Sequence, residues 1–307
     1  MSRTTESIFR QLEIFMQEHG DEYENPDDAI NAFMEAYNTS ILRDGFYGEP
    51  TDWDLSMDQV ELAMMAKTKK AAKEHLQEAL RIDPTNVDAK VAGLTYLSTT
   101  KEKIDRLEEI IEENYAYLQE VARKEKLNFN KDYVGHFYGI LETRSHISAL
   151  YLLANWYRLE NMNELAIKTF KEILRLNPND NLGARYHLMT MYMMNGNEKE
   201  MKFLVKNYKE EGLSMLFPYL LLHILRKDEK KALSLYRKLQ LENPGFTNLI
   251  MARGLKEEIM DEVLVSGAFR PGTASELAQI ILNQDLEYFL DSDSYVYRWL
   301  YENKNLK

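Results

Sequence analysis

The sequence predicts an all-α protein, a solenoid of antiparallel helix pairs with irregular N-terminal helices and a C-terminal capping helix. Three observations carry this. Apolar residues recur at helical spacing through most of the 307 residues. Residues 147–178 place large Leu150, Leu153, Tyr157 and Phe170 around small Ala154 and Ala166, the alternation two helices need for close approach. Asp83-Pro84, Asn177-Pro178 and Asn243-Pro244 stop helices at intervals, because proline cannot donate into the next turn.

Composition narrows the function classes. The hydrophobic content of 45% suffices for a continuous core, and stacked repeats are not bound by the usual domain size. The absence of Cys excludes disulfides, thiolate metal sites and a Cys nucleophile, and suits a reducing compartment. The N-terminus MSRTTESIFRQ lacks the basic and apolar regions of a signal peptide, and the most apolar run, residues 215–225, is too short to span a bilayer. The expectation is a cytoplasmic protein with no membrane partner. The net charge is −12, and residues 1–60 hold 3 Lys+Arg against 14 Asp+Glu, so the acidity belongs to the front of the chain. Such a balance argues against nucleic acid, which needs a basic face.

In chain order, residues 5–19 put Ile8, Leu12, Phe15 and Met16 on one helical face, and Asn25-Pro26-Asp27-Asp28 starts a second helix with acids at its positive end. A loop with Gly45, Gly48 and Pro50 closes an acidic N-terminal cap, residues 1–50. Residues 51–125 read as degenerate repeat helices: Ala72, Leu76 and Ala79 lead to Asp83-Pro84, residues 86–99 form another helix, and Ile104, Leu107, Ile111, Tyr115, Leu118 and Val121 line a long one. Residues 126–132 break the pattern and are expected to be a joint. Residues 126–245 hold the regular repeats, and residues 246–307 an irregular helix over 246–267 followed by capping helices.

Counting back from Pro178 as the thirty-second position of a unit of about 34 residues, the run around 147–178 resembles a tetratricopeptide repeat (TPR). ALRIDPTNVDAKV, GHFYGILETR and LRLNPNDNLGARYHL together resemble a bacterial set of TPR proteins similar to the eukaryotic suppressor-of-tumorigenicity type. After ETR, Ser145-His146-Ile147 departs from that set. The resemblance implies a TPR scaffold or adaptor that holds a protein or peptide segment in a concave groove lined by the first helix of each repeat, with no enzyme activity and no cofactor.

TPR numbering turns Tyr151, Asn155, Arg158, Arg185, Met189, Tyr192 and Phe217 into the groove. Asn155 would bridge a ligand main chain, Arg185 a carboxylate, and Met and aromatic side chains an apolar anchor. Leu221, Ile224 and Leu225 are expected to pack on the last helices instead. Tyr151 stands where chaperone-binding TPR domains carry a lysine, which disfavours that specialised function. His136, Glu142 and Arg144, with Asn179 and Asp180, are read as a structural network tying two repeats, and Gly135 and Gly139 as a small-residue helix face. Two other readings stand beside the scaffold: a ligand- or peptide-sensing regulator, and an enzyme using His136, Glu142 and Arg144. Neither a metal-ligand spacing among the six His nor a P-loop, HExxH or GxSxG motif is present.

Overall fold

A computed structural model describes residues 3–44, 50–210, 212–246, 272–291 and 293–304. Among these every regular element is a helix, and the fold is the expected all-α TPR-like helical repeat. The irregular helix expected over 246–267 and the loop at Gly45 and Gly48 lie outside the described residues. The chain forms two compact units, one of residues 1–161 with 175–178, the other of residues 162–174 with 179–307.

In the first unit, helices α1 (Arg3–His19) and α2 (Pro26–Asp44) pack on each other through Phe15 and Phe33, whose rings lie 5.7 Å apart. Then α3 (Asp52–Met65) and α4 (Lys69–Ile82) form a hairpin on a small-residue core of Ala63, Ala72 and Ala79. Each start is capped as its sequence dictates. Thr51 and Asp54 close a capping box, and the Thr68 hydroxyl accepts from the Ala71 amide. Helix α5 (Val87–Gly93) packs on both members of the hairpin. A buried relay joins the three: Asn86 Nδ2 donates to Ser56 Oγ at 2.8 Å, and Ser56 donates to the Ala79 carbonyl at 2.9 Å. The sequence here suggested one helix over 86–99, but α5 ends at Gly93 and a 3-10 turn, Leu94–Tyr96, follows.

The long α6 (Thr100–Lys124) opens with a second capping box, Thr99 with Glu102. It buries Ile104, Leu107, Ile110, Asn114, Leu118 and Ala122, so its buried stripe is rotated from the expected Ile111, Tyr115 and Val121. Asn114 is inside because His146 of α7 (Leu141–Leu159) meets its side-chain oxygen at 3.0 Å. Helix α7 packs on both α5 and α6.

The segment expected to be a joint, residues 126–132, lies inside the first unit. Asn128 accepts from the Lys131 amide, Asp132 accepts from the Asn128 amide at 2.7 Å, and a π-helical turn, Phe129–Tyr133, stacks its two end rings at 5.4 Å. Gly135 does not belong to a helix face. Its φ of +97° is open to glycine at little cost, and it lets Gly135 and Phe137 amides both donate to the Leu176 carbonyl, at 3.1 and 3.2 Å.

Helix α8 (Asn163–Leu176) gives its larger part to the second unit. There α9 (Ala184–Met194) packs on α10 (Glu198–Tyr208) and α11 (Leu213–Leu225), and α11 on α12 (Glu229–Glu242). Helices α13 (Ala274–Asn283) and α14 (Tyr295–Asn303) then cover α11. Trp299 anchors the last of these. Its ring lies 5.7 Å from Tyr236, and its indole N–H donates to Glu229 at 2.9 Å.

Candidate interaction surface

The first helices of successive pairs in the first unit, α3, α5 and α7, touch in turn. On α7 the residues Tyr151, Asn155 and Arg158 stand four and three apart and form a ladder along one face. Asn155 Nδ2 donates to the Tyr151 carbonyl at 2.9 Å, and Arg158 Nη2 donates to Asn155 Oδ1 at 3.3 Å. All three are half-buried, so each keeps surface on the outside of the helix. Ser148 and Leu159 extend that exposed face at its two ends.

The corresponding positions of the second unit differ. Met189, Tyr192 and Phe217 are buried and have no surface to offer a partner. This corrects their assignment to a groove. Phe246 packs edge-on against Phe217 at 6.0 Å, Lys171 of α8 lies 5.6 Å from the Tyr192 ring centre, and Gln284 meets Thr190 at 3.4 Å and donates to the Ser214 carbonyl at 3.0 Å. Leu221 and Ile224 are buried as expected, and Leu225 is exposed. Arg185 is committed inside the unit as well. Its guanidinium reaches Asp180 at 2.9 Å and Glu210 at 2.8 Å and lies over the rings of Tyr186 and Tyr208. Repeat numbering finds the inward positions of a helix but not the segment that already fills the space before them.

Asp180 works as the N-terminal clamp of α9, its two oxygens accepting from the Ala184 and Arg185 amides at 2.7 and 2.9 Å. Gly183, at φ +74°, closes that turn, where a Cβ would meet the Tyr186 ring at 3.0 Å. Asn179 lies in the turn just before it.

Glu142 and Arg144 find partners that the sequence did not suggest, on α1. Arg144 Nη1 lies 3.3 Å from Glu6, and Arg10 lies 3.7 Å from Glu142. Arg144 also donates from Nε to the Tyr138 carbonyl at 2.8 Å. Ser7 donates to Asp54 of α3 at 3.0 Å, and Arg10 sits 4.1 Å over the Trp53 ring. Helix α1 therefore holds the starts of α3 and α7 together, and Ser145 joins α7 to α5 through Asp88 at 2.5 Å. Glu13 of α1 has its carboxyl pushed above the ordinary range by burial first and by Glu142 second. The Tyr133 hydroxyl, which donates to Glu125 at 3.2 Å, is pushed up to about 12, by burial first and the Glu125 carboxylate second. His136 is exposed, while Arg144 and Glu142 face Glu6 and Arg10 of α1.

A tetratricopeptide-repeat family model matches residues 147–180, the stretch that carries the ladder and the Asp180 turn. The chain contains a tetratricopeptide repeat. No curated protein and no solved structure matches the chain. Around the TPR, no described helix is long and apolar enough to cross a membrane. Among the described residues no three His, Asp or Glu are grouped as metal ligands.

The first unit also holds a cationic cleft that no motif announces. Residues 66–73, AKTKKAAK, hold four lysines and no acid in a chain of net charge −12, and that contrast was the available signal. The cleft encloses about 600 Å³ between the end of α3, the start of α4 and the end of α5, with Trp156 of α7 at its edge.

Proposed function

We propose that the protein is a cytoplasmic scaffold that binds a segment of a partner protein along the exposed face of α7 and catalyses no reaction of its own. A tetratricopeptide repeat points to protein interaction. The observation that carries the finer reading is the half-buried ladder of Tyr151, Asn155 and Arg158 within residues 147–180, beside the buried state of Met189, Tyr192 and Phe217. A planar aromatic, an amide and a guanidinium in one row suit an extended peptide, whose main chain presents alternating donors and acceptors and whose side chains include carboxylates. The inner face of the second unit is a closed core in this reading.

The test compares the full chain with a variant carrying Tyr151→Ala, Asn155→Ala and Arg158→Ala together in affinity capture from native cytosol, with quantitative mass spectrometry. Proteins enriched by the wild type should be lost from the variant while its melting temperature stays close to wild type. Full retention of those proteins overturns the assignment of the surface.

A further inference from the structure

We propose that the lysine-rimmed cleft formed by α3, α4 and α5 is a second interaction site, which takes an acidic protein segment carrying an apolar anchor residue. None of its lining residues belongs to the ladder of Tyr151, Asn155 and Arg158, and the site goes beyond the scaffold reading.

The floor and the rim of the cleft differ in chemistry. Its floor is apolar, with half-buried Ala66, Val91 and Ala92 lying over the buried Ala72, Leu76 and Leu94. Its rim carries Lys67, Lys69 and Lys103, and among the described residues none of the three pairs with a carboxylate. Some lysines elsewhere do sit on acids: Lys90 meets Glu113 at 3.2 Å, Lys124 meets Glu120 at 3.1 Å and Lys202 meets Glu198 at 2.6 Å. A protein with 50 acidic residues against 38 basic ones has left three neighbouring lysines without acids. Lys67 and Lys69 flank Thr68, the cap of α4, so the positive end of that helix adds to their field.

A second depression of about 690 Å³ shares Lys69 and Tyr96 and adds Lys73, with Lys70 set 3.8 Å from Glu74 on the same wall. Lys73 lies 5.2 Å from the Tyr96 ring centre. Exposed apolar side chains stand at the mouth: Met64, which lines the cleft, is 74% exposed, and its neighbour Met65 76%. Unbranched thioethers adapt to varied apolar partners. Trp156 offers a flat wall.

Charge complementarity selects an acidic occupant, and the floor selects one with a Leu- or Phe-sized anchor between its acids. Nucleic acid fits less well, since its phosphates would use the rim and leave the apolar floor without an aliphatic or aromatic anchor.

The probe is a fluorescein-labelled peptide with a central Leu-Phe pair flanked on each side by three Asp or Glu residues, titrated with the full chain and followed by fluorescence anisotropy. It should bind, more weakly as salt rises, and the combined variant Lys67→Glu, Lys69→Glu and Lys103→Glu should raise Kd at least about tenfold, because rim charges set such contacts. Circular dichroism and melting temperature establish that this surface variant is folded. The variant with the Tyr151, Asn155 and Arg158 substitutions should bind the probe as the wild type does, so that failure of one site is distinguishable from failure of the other. Four results overturn the proposal: no saturable binding of the probe, an unchanged Kd in the lysine variant, equal binding of a peptide with Gly-Ser in place of Leu-Phe, or tighter binding of labelled oligo-dT or of phosphatidylserine vesicles than of the peptide.

Discussion

Arg144 on α7 and Glu6 on α1 lie 138 residues apart in sequence and 3.3 Å apart in space. Together with Ser7 to Asp54 and Arg10 to Glu142, the pair ties the N-terminal helix into the first unit. Their side chains are 13% and 24% exposed, an intermediate setting in which water weakens the attraction without abolishing it.

Glu6→Ala should therefore cost about 1–2 kcal/mol, between the values for surface and buried pairs. Arg144→Ala should cost more, since it also loses the bond to the Tyr138 carbonyl and the ring contact at 5.7 Å. Urea denaturation of both single variants and the double variant gives the coupling. A cycle that closes with no interaction energy removes α1 from its place as the strap across α3 and α7.

Gly135 is the next test, because its φ of +97° sets up two amide donors to one carbonyl. Its Cβ position is open, so Gly135→Ala meets no steric clash and reports backbone strain alone. The expected loss is about 1–3 kcal/mol. Gly93→Ala, at φ −60° and with an equally open Cβ position, should cost less than Gly135→Ala. Equal losses would place Gly135 in an ordinary conformation.

His146 makes stability depend on pH. Buried between α6 and α7 with Tyr115 and Phe137 rings at 5.6 Å, it has its pKa pulled down to about 4, by desolvation. The folded form keeps the ring neutral, while the unfolded chain takes up a proton near 6.5. The contribution is thus fully present above 6.5 and is lost as pH falls towards 4. Between pH 7 and pH 5 it amounts to about 2 kcal/mol. His146→Gln, which cannot titrate, should flatten that part of the stability profile. An equally steep profile in the variant assigns the slope to other groups.

The parts of this structure that were legible in the sequence are those encoded locally. Asp83-Pro84 and Asn243-Pro244 stop α4 and α12 where they stand, and Ala154, Ala166 and Phe170 repeat a pattern whose period is fixed by one helix pair. What stayed hidden depends on distant partners. Asn114 reads as a solvent-facing residue until His146, 32 positions later, supplies its hydrogen bond, and that pairing turns the face of α6. Arg185 reads as a ligand arginine until Glu210 is found beside it. Periodicity says which side of a helix is apolar. It does not say whether a partner or the chain's own later helices will cover it.

That distinction yields the last prediction. If the C-terminal helices of the second unit have made Met189 and Phe217 into core, truncating either should destabilise the protein strongly: about 2–5 kcal/mol for Met189→Ala and about 3–5 kcal/mol for Phe217→Ala. Trp299→Ala should do the same from the other side, since its ring fills space beside Tyr236 and its loss leaves Glu229 without an N–H donor. Tyr151→Ala and Asn155→Ala, on a face that keeps solvent, should each move stability by under about 1 kcal/mol. Thermal melts of the five variants decide between core and surface without any partner in hand. A mild effect at Met189 and Phe217 together with a severe one at Tyr151 and Asn155 would reverse the assignment and reopen the inner face of the second unit as the place where a partner binds.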